Sequence, residues 1–284
     1  MKFKNLEERC LYYRGLTDYR IQPNSNVIAM VDGRAFSKLV KNKFKLPFDD
    51  DFIKMMNETA KYVCENVQGC KFAYVQSDEI SFLITDYDDI NTDSFFGYRI
   101  EKMTSIIASL ATAKFNQLYA QHNIWKNSYD NLGFDTEDVL YKVTDVLEYM
   151  GEMKLAEFDC KVWPVPTSND AYAWFLYRQH DCVRNSKQQA AQTYVPHKQL
   201  LNLDVDKQLE KLYEAKGIDW NVAYSDGKKY GRFIYRTPKH MVTEINGKTI
   251  EYDRCSFDAH DGFVLDGESA KQKFYDLVPV LQYR

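Results

Sequence analysis

Asp32, followed by Gly33, and Asp78, followed by Glu79, each stand at the end of a short apolar run, where a carboxylate can be held at the rim of a sheet. If the two runs are neighbouring strands, Asp32 and Asp78 face one another at a cross-strand distance of roughly 5 Å. Carboxylates that close repel, and a raised pKa or a divalent cation relieves them. Mg²⁺ suits one or two carboxylates together with phosphate oxygens and water. Gly33-Arg34-Ala35-Phe36-Ser37 then forms a turn whose first residue has no side chain, so its backbone can approach a triphosphate closely. Lys38, Lys41, Lys43 and Lys45 follow, interleaved with Leu39, Val40 and Phe44, and add positive charge to the same segment. The chemistry this set allows is phosphoryl transfer, in which two cations about 3.5–4 Å apart clamp the attacking and leaving oxygens. Taken singly, each feature has a plainer reading: a turn dipeptide, a solvated hairpin tip, a solvated lysine face. The patterns G-x-x-x-x-G-K-S/T and G-x-G-x-x-G are both absent, which excludes P-loop and Rossmann sites.

The elements that must position these residues follow from the hydrophobic pattern. Asn26–Val31 is a short apolar, partly β-branched run and predicts a strand. Phe52, Met56, Ala60, Val63 and Val67 recur at helical spacing after Asp50, which can cap the helix, and Gly69 ends it. Lys71–Gln76 and Ile80–Thr85 predict a hairpin with its acidic tip at Ser77-Asp78-Glu79. A second long helix is expected from Ser94, a short one over Thr136–Met150, and a fourth strand over Glu157–Trp163, closed by Pro164 and Pro166. The order β-α-β-β-α-β is the ferredoxin-like split βαβ unit, an α+β fold with two helices over one sheet face. Beyond it come a helix capped by Ser168 and running from Asp170 to about Tyr194, a charged helix over Leu200–Lys216, and a β-hairpin turning at Asn246-Gly247. Two units are therefore expected: a catalytic domain over 1–195 and a C-terminal α/β extension over 196–284 packed on it.

A chain of 284 residues with 45% apolar and 27% charged residues can bury a sizeable core. No apolar run reaches the ~18 residues a membrane helix needs, and the start MKFKNLEERC carries no targeting pattern, so a soluble cytoplasmic protein is expected. Six scattered cysteines without a C-x-x-C pair read as reduced thiols with no zinc site. A net charge of −4 argues against a uniformly basic nucleic-acid binder but leaves room for local patches.

The strings V-D-G-R-A-F, F-K-L-P-F-D ending at Asp49, A-Y-V-Q-S-D-E-I-S-F and R-I-E-K-M-T-S-I-I-A-S, in this order, resemble the tRNA-His guanylyltransferase family and its Thg1-like relatives over roughly Asn5 to Asn185. The resemblance implies a polymerase-palm-like catalytic core that adds nucleotides in the 3′–5′ direction to the 5′ end of tRNA. It implies two Mg²⁺ ions held by Asp32, the carbonyl of Gly33 and Asp78, with Glu79 as a supporting carboxylate. GTP, ATP or another NTP would lie on Asp32 and Gly33 to Ser37, on Ser77 and Asp78, and near Lys45 and Lys102. Arg99, Arg178, Arg184, Asn185 and Lys187 would contact tRNA, with Lys198 and Lys228-Lys229-Arg232 as further candidates for its backbone. A homotetramer is expected by the same resemblance.

Two departures are informative. Leu46 stands where the family usually has Lys before the Pro, with Lys45 one place earlier. After Asp181-Cys182 the stricter eukaryotic members carry H-I-N-N-L-Y-N, whereas this chain reads Val183 to Gln189 with Asn185 alone kept. That is similar to the Thg1-like branch, which resembles template-directed 5′-end repair enzymes. A nucleotidyl cyclase and a non-catalytic RNA-binding module are the alternatives; the cyclase would use the same palm without RNA.

Overall fold

The computed structural model describes residues 2–40, 43–89, 91–131, 151, 153–245 and 248–278. The central unit is β1 (Asn26–Gly33), α3 (Asp50–Asn66), β2 (Cys70–Gln76), β3 (Glu79–Ile84), α4 (Ile100–Asn131) and β4 (Phe158–Val165), preceded by α1 (Leu6–Gly15) and with α2 (Phe36–Val40) after β1. The sheet runs β4-β1-β3-β2-β5-β6 with antiparallel neighbours, so the βαββαβ order expected from the pattern is present. β5 (Arg232–Ile245) and β6 (Lys248–Asp261) come from the C-terminal segment, and β5 pairs with β2 from Phe72↔Tyr235 to Val75↔Arg232. The last segment therefore widens the sheet itself. The expected turn at Asn246-Gly247 lies outside the described residues, as do Lys41 and the expected helix over Thr136–Met150.

Both faces of the central strands are covered, which is why they read as near-continuous apolar runs. Val27, Ala29, Val31, Val75 and Phe82 pack under α3 and α4 with Met56, Val63, Met103 and Ile107. Ile28, Phe72, Tyr74 and Phe233 face α5 (Ser168–Tyr194) and α10 (Glu268–Asp276) through Phe175 and Phe274. Between α5 and β5 lie α6 (His197–Leu200), α7 (Val205–Lys216), α8 (Trp220–Ala223) and α9 (Asp226–Tyr230).

The boundaries differ from the sequence expectation at informative places. Asp49, not Asp50, caps α3, accepting from the amides of Asp51 and Phe52 at 2.9 Å each. Thr167, not Ser168, caps α5 through a capping box with Asp170. The helix expected from Ser94 begins only at Ile100. Phe95–Tyr98 is a 3₁₀ turn with Phe96, Gly97 and Tyr98 at positive φ, and the chain around Arg99 pairs instead with Tyr19–Ile21. That pairing and the burial of Phe95 and Tyr98 override the helical periodicity, and they place Arg99 before the helix. β4 continues through Pro164 because it is an edge strand, where a missing amide hydrogen leaves no ladder bond unmade. The expected helix over Leu200–Lys216 splits at Asp204, whose carboxylate accepts from the Lys207 amide at 3.0 Å.

Candidate active site

The register assembles the site. Asp32, at the end of β1, has Glu79 of β3 as its cross-strand partner on one side and Asp159 of β4 on the other; Glu79 in turn faces Gln76 of β2. Partners in an antiparallel pair point to the same face, so these four residues form a row across four strand ends. The residue directly opposite Asp32 is therefore Glu79. Asp78 sits one position earlier, in the two-residue turn Ser77-Asp78, with Ser77 at φ 46°.

After Asp32 the chain folds sharply back. A Cβ on Gly33 would lie 2.4 Å from the Phe36 ring, so only glycine fits there. Phe36 itself is buried against Phe158 and Phe115, with centroids at 4.9 and 5.2 Å. Ala35 has φ 56°, and the Arg34 amide donates to the Glu157 carbonyl at 2.8 Å. The turn 33–37 is thus tied to the core by Phe36 and to β4 by Arg34. Its glycine is required by packing as well as by any approach of a phosphate.

Burial raises the carboxyl pKa of Asp78; the Asp32 and Glu79 charges add to this, and its own backbone amide and the Ser77 hydroxyl oppose it. Burial likewise raises that of Asp32, with the Asp159 charge reinforcing it and the Gly33 amide, Arg178 and Lys161 acting against it. Each carboxylate is therefore under-compensated by the chain itself. Among the described residues no group of three or more His, Cys, Asp or Glu side chains forms a closed metal cage. Two such aspartates beside a turn that can take phosphate fit Mg²⁺, which keeps waters and shares its shell with phosphate oxygens.

A cleft of 680 Å³ opens over these strand ends, between the 36–53 segment and α5. It gathers Asp32, Phe36, Ser37, Lys45, Ser77, Asp78, Glu79, Arg178 and Asn185 of the residues singled out from sequence, together with Lys228 and Arg232 from the further tRNA candidates. The Lys45 amide is held by Asp49 at 2.8 Å, leaving its side chain exposed at the cleft, and Leu46 beside it is 65% exposed. Arg34 instead pairs with Glu157 at 2.9 Å on the surface.

Arg99 and Lys102 lie apart from this cleft. They line a cavity of 510 Å³ at the end of α1 with Arg14, Asp18 and Tyr19, and Arg99 Nε pairs with Asp18 at 2.9 Å. The expected RNA-facing cations are mostly engaged within the chain. Arg178 is held by Glu79 and Asp181, Arg184 by Asp181, and Lys187 by Asp206 at 3.1 Å. Lys228 pairs with Asp50 at 2.7 Å, Lys229 is buried over Trp220 and Tyr230, and Arg232 is 5% exposed with its Nε on Asn57. Lys229 and Arg232 thus form no exposed basic surface, because Lys229 packs on the Trp220 and Tyr230 rings and β5 pairs into the sheet at Arg232, whereas Lys228 stays half-buried on the wall of the cleft.

Asp159, Gln189 and Arg232 are among the residues of the site that the sequence reading does not assign to it. Asp159 is readable from the alternation in Glu157–Trp163, which turns it and Lys161 outward together. Gln189 is readable from its i, i+4 spacing to Asn185 on α5, which puts both on the cleft. Arg232 has no such signal, since its place depends on a strand pairing 157 positions from its partner Val75.

A family model described as tRNAHis guanylyltransferase matches residues 8–166. The chain is 26% identical over 237 residues to tRNA(His) guanylyltransferase 2 of Arabidopsis thaliana, covering 81% of this chain and 39% of that one. It is 29% identical over 165 residues to the tRNA(His) guanylyltransferase of Debaryomyces hansenii, covering 58% and 52%. The chain thus spans about half or less of the length of these two curated relatives. A bacterial tRNA(His) guanylyltransferase (Thg1)-like protein solved in complex with ATP superposes with TM-score 0.74 at 29% identity, covering 98% of this chain and all of that one. A bacterial Thg1-like protein solved with GTP gives 0.66 at 25% identity, covering 97% and 99%. With more than half of its length matched by the family model, the chain belongs to the tRNAHis guanylyltransferase (Thg1) family.

Proposed function

We propose that this protein adds nucleotides in the 3′–5′ direction to the 5′ end of tRNA, choosing each one by pairing with the opposing strand, as a cytoplasmic repair enzyme. The observation that carries this is one cleft that brings Asp32 and Asp78, under-compensated by the chain, together with Ser37, Ser77 and Lys45. That is the donor and acceptor set a nucleoside triphosphate needs, and the likeness to Thg1-like structures solved with ATP and GTP supports it. The catalytic unit we assign is palm-like, over 1–195.

In this reading the 5′-monophosphate first attacks the α-phosphorus of ATP or GTP, which releases pyrophosphate and leaves a nucleotidylated 5′ end. The 3′-hydroxyl of the incoming nucleotide then attacks the 5′-phosphorus and releases AMP or GMP. Two Mg²⁺ ions, held by Asp32, the Gly33 carbonyl and Asp78, would neutralise phosphate charge and ease loss of pyrophosphate in the first step and of the nucleoside monophosphate in the second. The chain's own part is to orient. The 33–37 turn, fixed by Phe36, offers backbone amides and the Ser37 hydroxyl to phosphate oxygens, and Ser77 offers its hydroxyl from the opposite turn. Lys45 supplies an exposed positive charge from the 36–53 side of the cleft. The changed α5 segment Val183 to Gln189 supports template-directed repair over dedicated addition of G.

The test is incorporation of labelled nucleotides into tRNA lacking its first 5′ residue. Addition at the 5′ end with pyrophosphate release is expected. Cyclic or dinucleotide product from NTP alone would instead favour a cyclase.

A further inference from the structure

Glu79 and Arg178 form the most enclosed ion pair at the cleft. Arg178 Nε donates to Oε1 of Glu79 at 2.8 Å and Nη2 to Oε2 at 2.5 Å, the two-pronged geometry that guanidinium and carboxylate share. The side chains are 13% and 12% exposed. The remaining edge of the guanidinium meets Asp181 at 3.1 Å, and its plane lies near the rings of Tyr177 and Trp174, at 5.2 and 5.9 Å. Gln76 donates a third hydrogen bond to Oε1 of Glu79 at 3.1 Å. Glu79 directly follows Asp78 in the chain and is the cross-strand partner of Asp32.

We propose that Arg178 is a positioning residue: it grips Glu79 so that the Ser77-Asp78 turn is fixed against α5 and Glu79 is kept from joining Asp32 and Asp78 as a cation ligand. Arg178 is then a strut of the site and not an RNA contact. The inference rests on the nucleotide-addition reading for its functional half; the grip itself is independent of that reading. Both oxygens of Glu79 are occupied by donors, and both edges of the Arg178 fork are occupied by acceptors. Without Arg178, the four carboxylates of the strand-end row and its turn, Asp32, Asp78, Glu79 and Asp159, would lose the guanidinium that occupies Glu79 and turns it toward α5. Asp181 completes the balance and is itself met by the exposed Arg184, so the charges alternate from the site outward along α5.

The experiment is a double-mutant cycle with Glu79→Gln, Arg178→Met and the double variant, read by thermal melting, kcat and KM for NTP, Mg²⁺ midpoint, and tRNA affinity against salt. The single variants are expected to lower kcat about tenfold each, with KM for NTP changed less than about threefold. The double variant should lower kcat about tenfold and not about a hundredfold, since the two act as one unit. Arg178→Met should melt lowest, because it leaves Glu79 charged and unpaired, and the double variant should recover part of that loss. Additive effects on kcat and melting would overturn the proposal. So would a higher Mg²⁺ midpoint in Glu79→Gln alone, which would make Glu79 a cation ligand. A fall in tRNA affinity and in salt slope by about one contact in Arg178→Met would make Arg178 an RNA contact and overturn it as well. Wild-type protein that adds no nucleotide to any tRNA would sink the functional reading, whereas the melting cycle would still report on the grip.

Discussion

Two depressions in this molecule are lined by aspartates and cations, and they differ in how the charges are answered. In the cavity at the end of α1, Asp18 takes Arg20 at 3.1 Å and Arg99 at 2.9 Å, and these partners, Arg20's hydrogen bond first, hold its carboxyl below the ordinary range. In the cleft over the strand ends, Asp32 and Asp78 are pushed the opposite way, by burial first and then by other carboxylates. Exposed pairs of the first kind are worth little and are complete without a ligand. Half-enclosed carboxylates without a matching cation are a standing cost to the fold, which a metal-bound triphosphate would remove. The difference marks where chemistry is expected more sharply than the number of charges in either place.

The strongest test of that contrast removes the anionic charge while keeping shape. Asp32→Asn and Asp78→Asn are each expected to lower 5′ addition by about a thousandfold or more, several kcal/mol of transition-state stabilisation. Asp18→Asn should leave the rate within a few-fold. Near-normal addition by either cleft variant at saturating Mg²⁺, with folding checked by melting, would remove the assignment.

A second test asks whether α5 or the template chooses the base. On α5, Asn185 and Gln189 line the cleft but Val183 to Gln189 lacks the pattern of the stricter guanylyltransferases. Changing the base opposite the vacant 5′ position should therefore switch the preferred NTP by roughly tenfold or more. Four acceptor-stem variants against four NTPs, read at the 5′ end, measure this. Incorporation of G whatever the opposing base would return selection to the protein.

Lys45 offers a smaller effect. Lys45→Ala is expected to raise KM for NTP about tenfold, the worth of one charge-assisted contact, with tRNA affinity unchanged. A loss of tRNA affinity with an unchanged NTP KM would move Lys45 to the RNA surface.

Much of this contrast was legible in the sequence, and the limits have physical causes. Asp32, Gly33 and Asp78 announce themselves because each ends or follows an apolar run, a local signal. The split βαβ order was readable for the same reason, since strands buried on both faces leave long apolar strings. The start of α4 differs from the expectation at Ser94 because Tyr19–Ile21 pairs with the chain around Arg99, a contact no local window contains. The sequence presents Arg178 and Arg232 as surface cations because a basic residue on a helix or strand gives no sign of its partner. Glu79 and Asn57, which meet them, lie 99 and 175 positions away.

The finest test of the comparison is the pH dependence of stability without metal or nucleotide. Asp78 has a folded-state pKa above its ordinary 3.8, so its protonated form is the one the fold prefers. The cost of ionising it is absent below pH 3.8 and appears as pH rises through the folded value. Asp78→Asn should therefore raise the melting temperature at pH 7, by roughly 1–3 °C, and the gain should fade as pH falls toward 3.8. Asp18 has a folded-state pKa below 3.8, so its contribution is fully present above 3.8 and is lost as pH falls through the lower folded value. Asp18→Asn should lower the melting temperature at pH 7 by a smaller amount, because its partners are exposed and screened. The two variants thus carry opposite signs at neutral pH and converge on wild type in acid. Adding Mg²⁺ with GTP should then stabilise the wild type more than Asp78→Asn, reversing their order, while leaving the Asp18→Asn difference in place. Shifts of the same sign for both aspartates would show that the cleft and the α1 cavity are electrostatically alike, and the argument from uncompensated charge would fail.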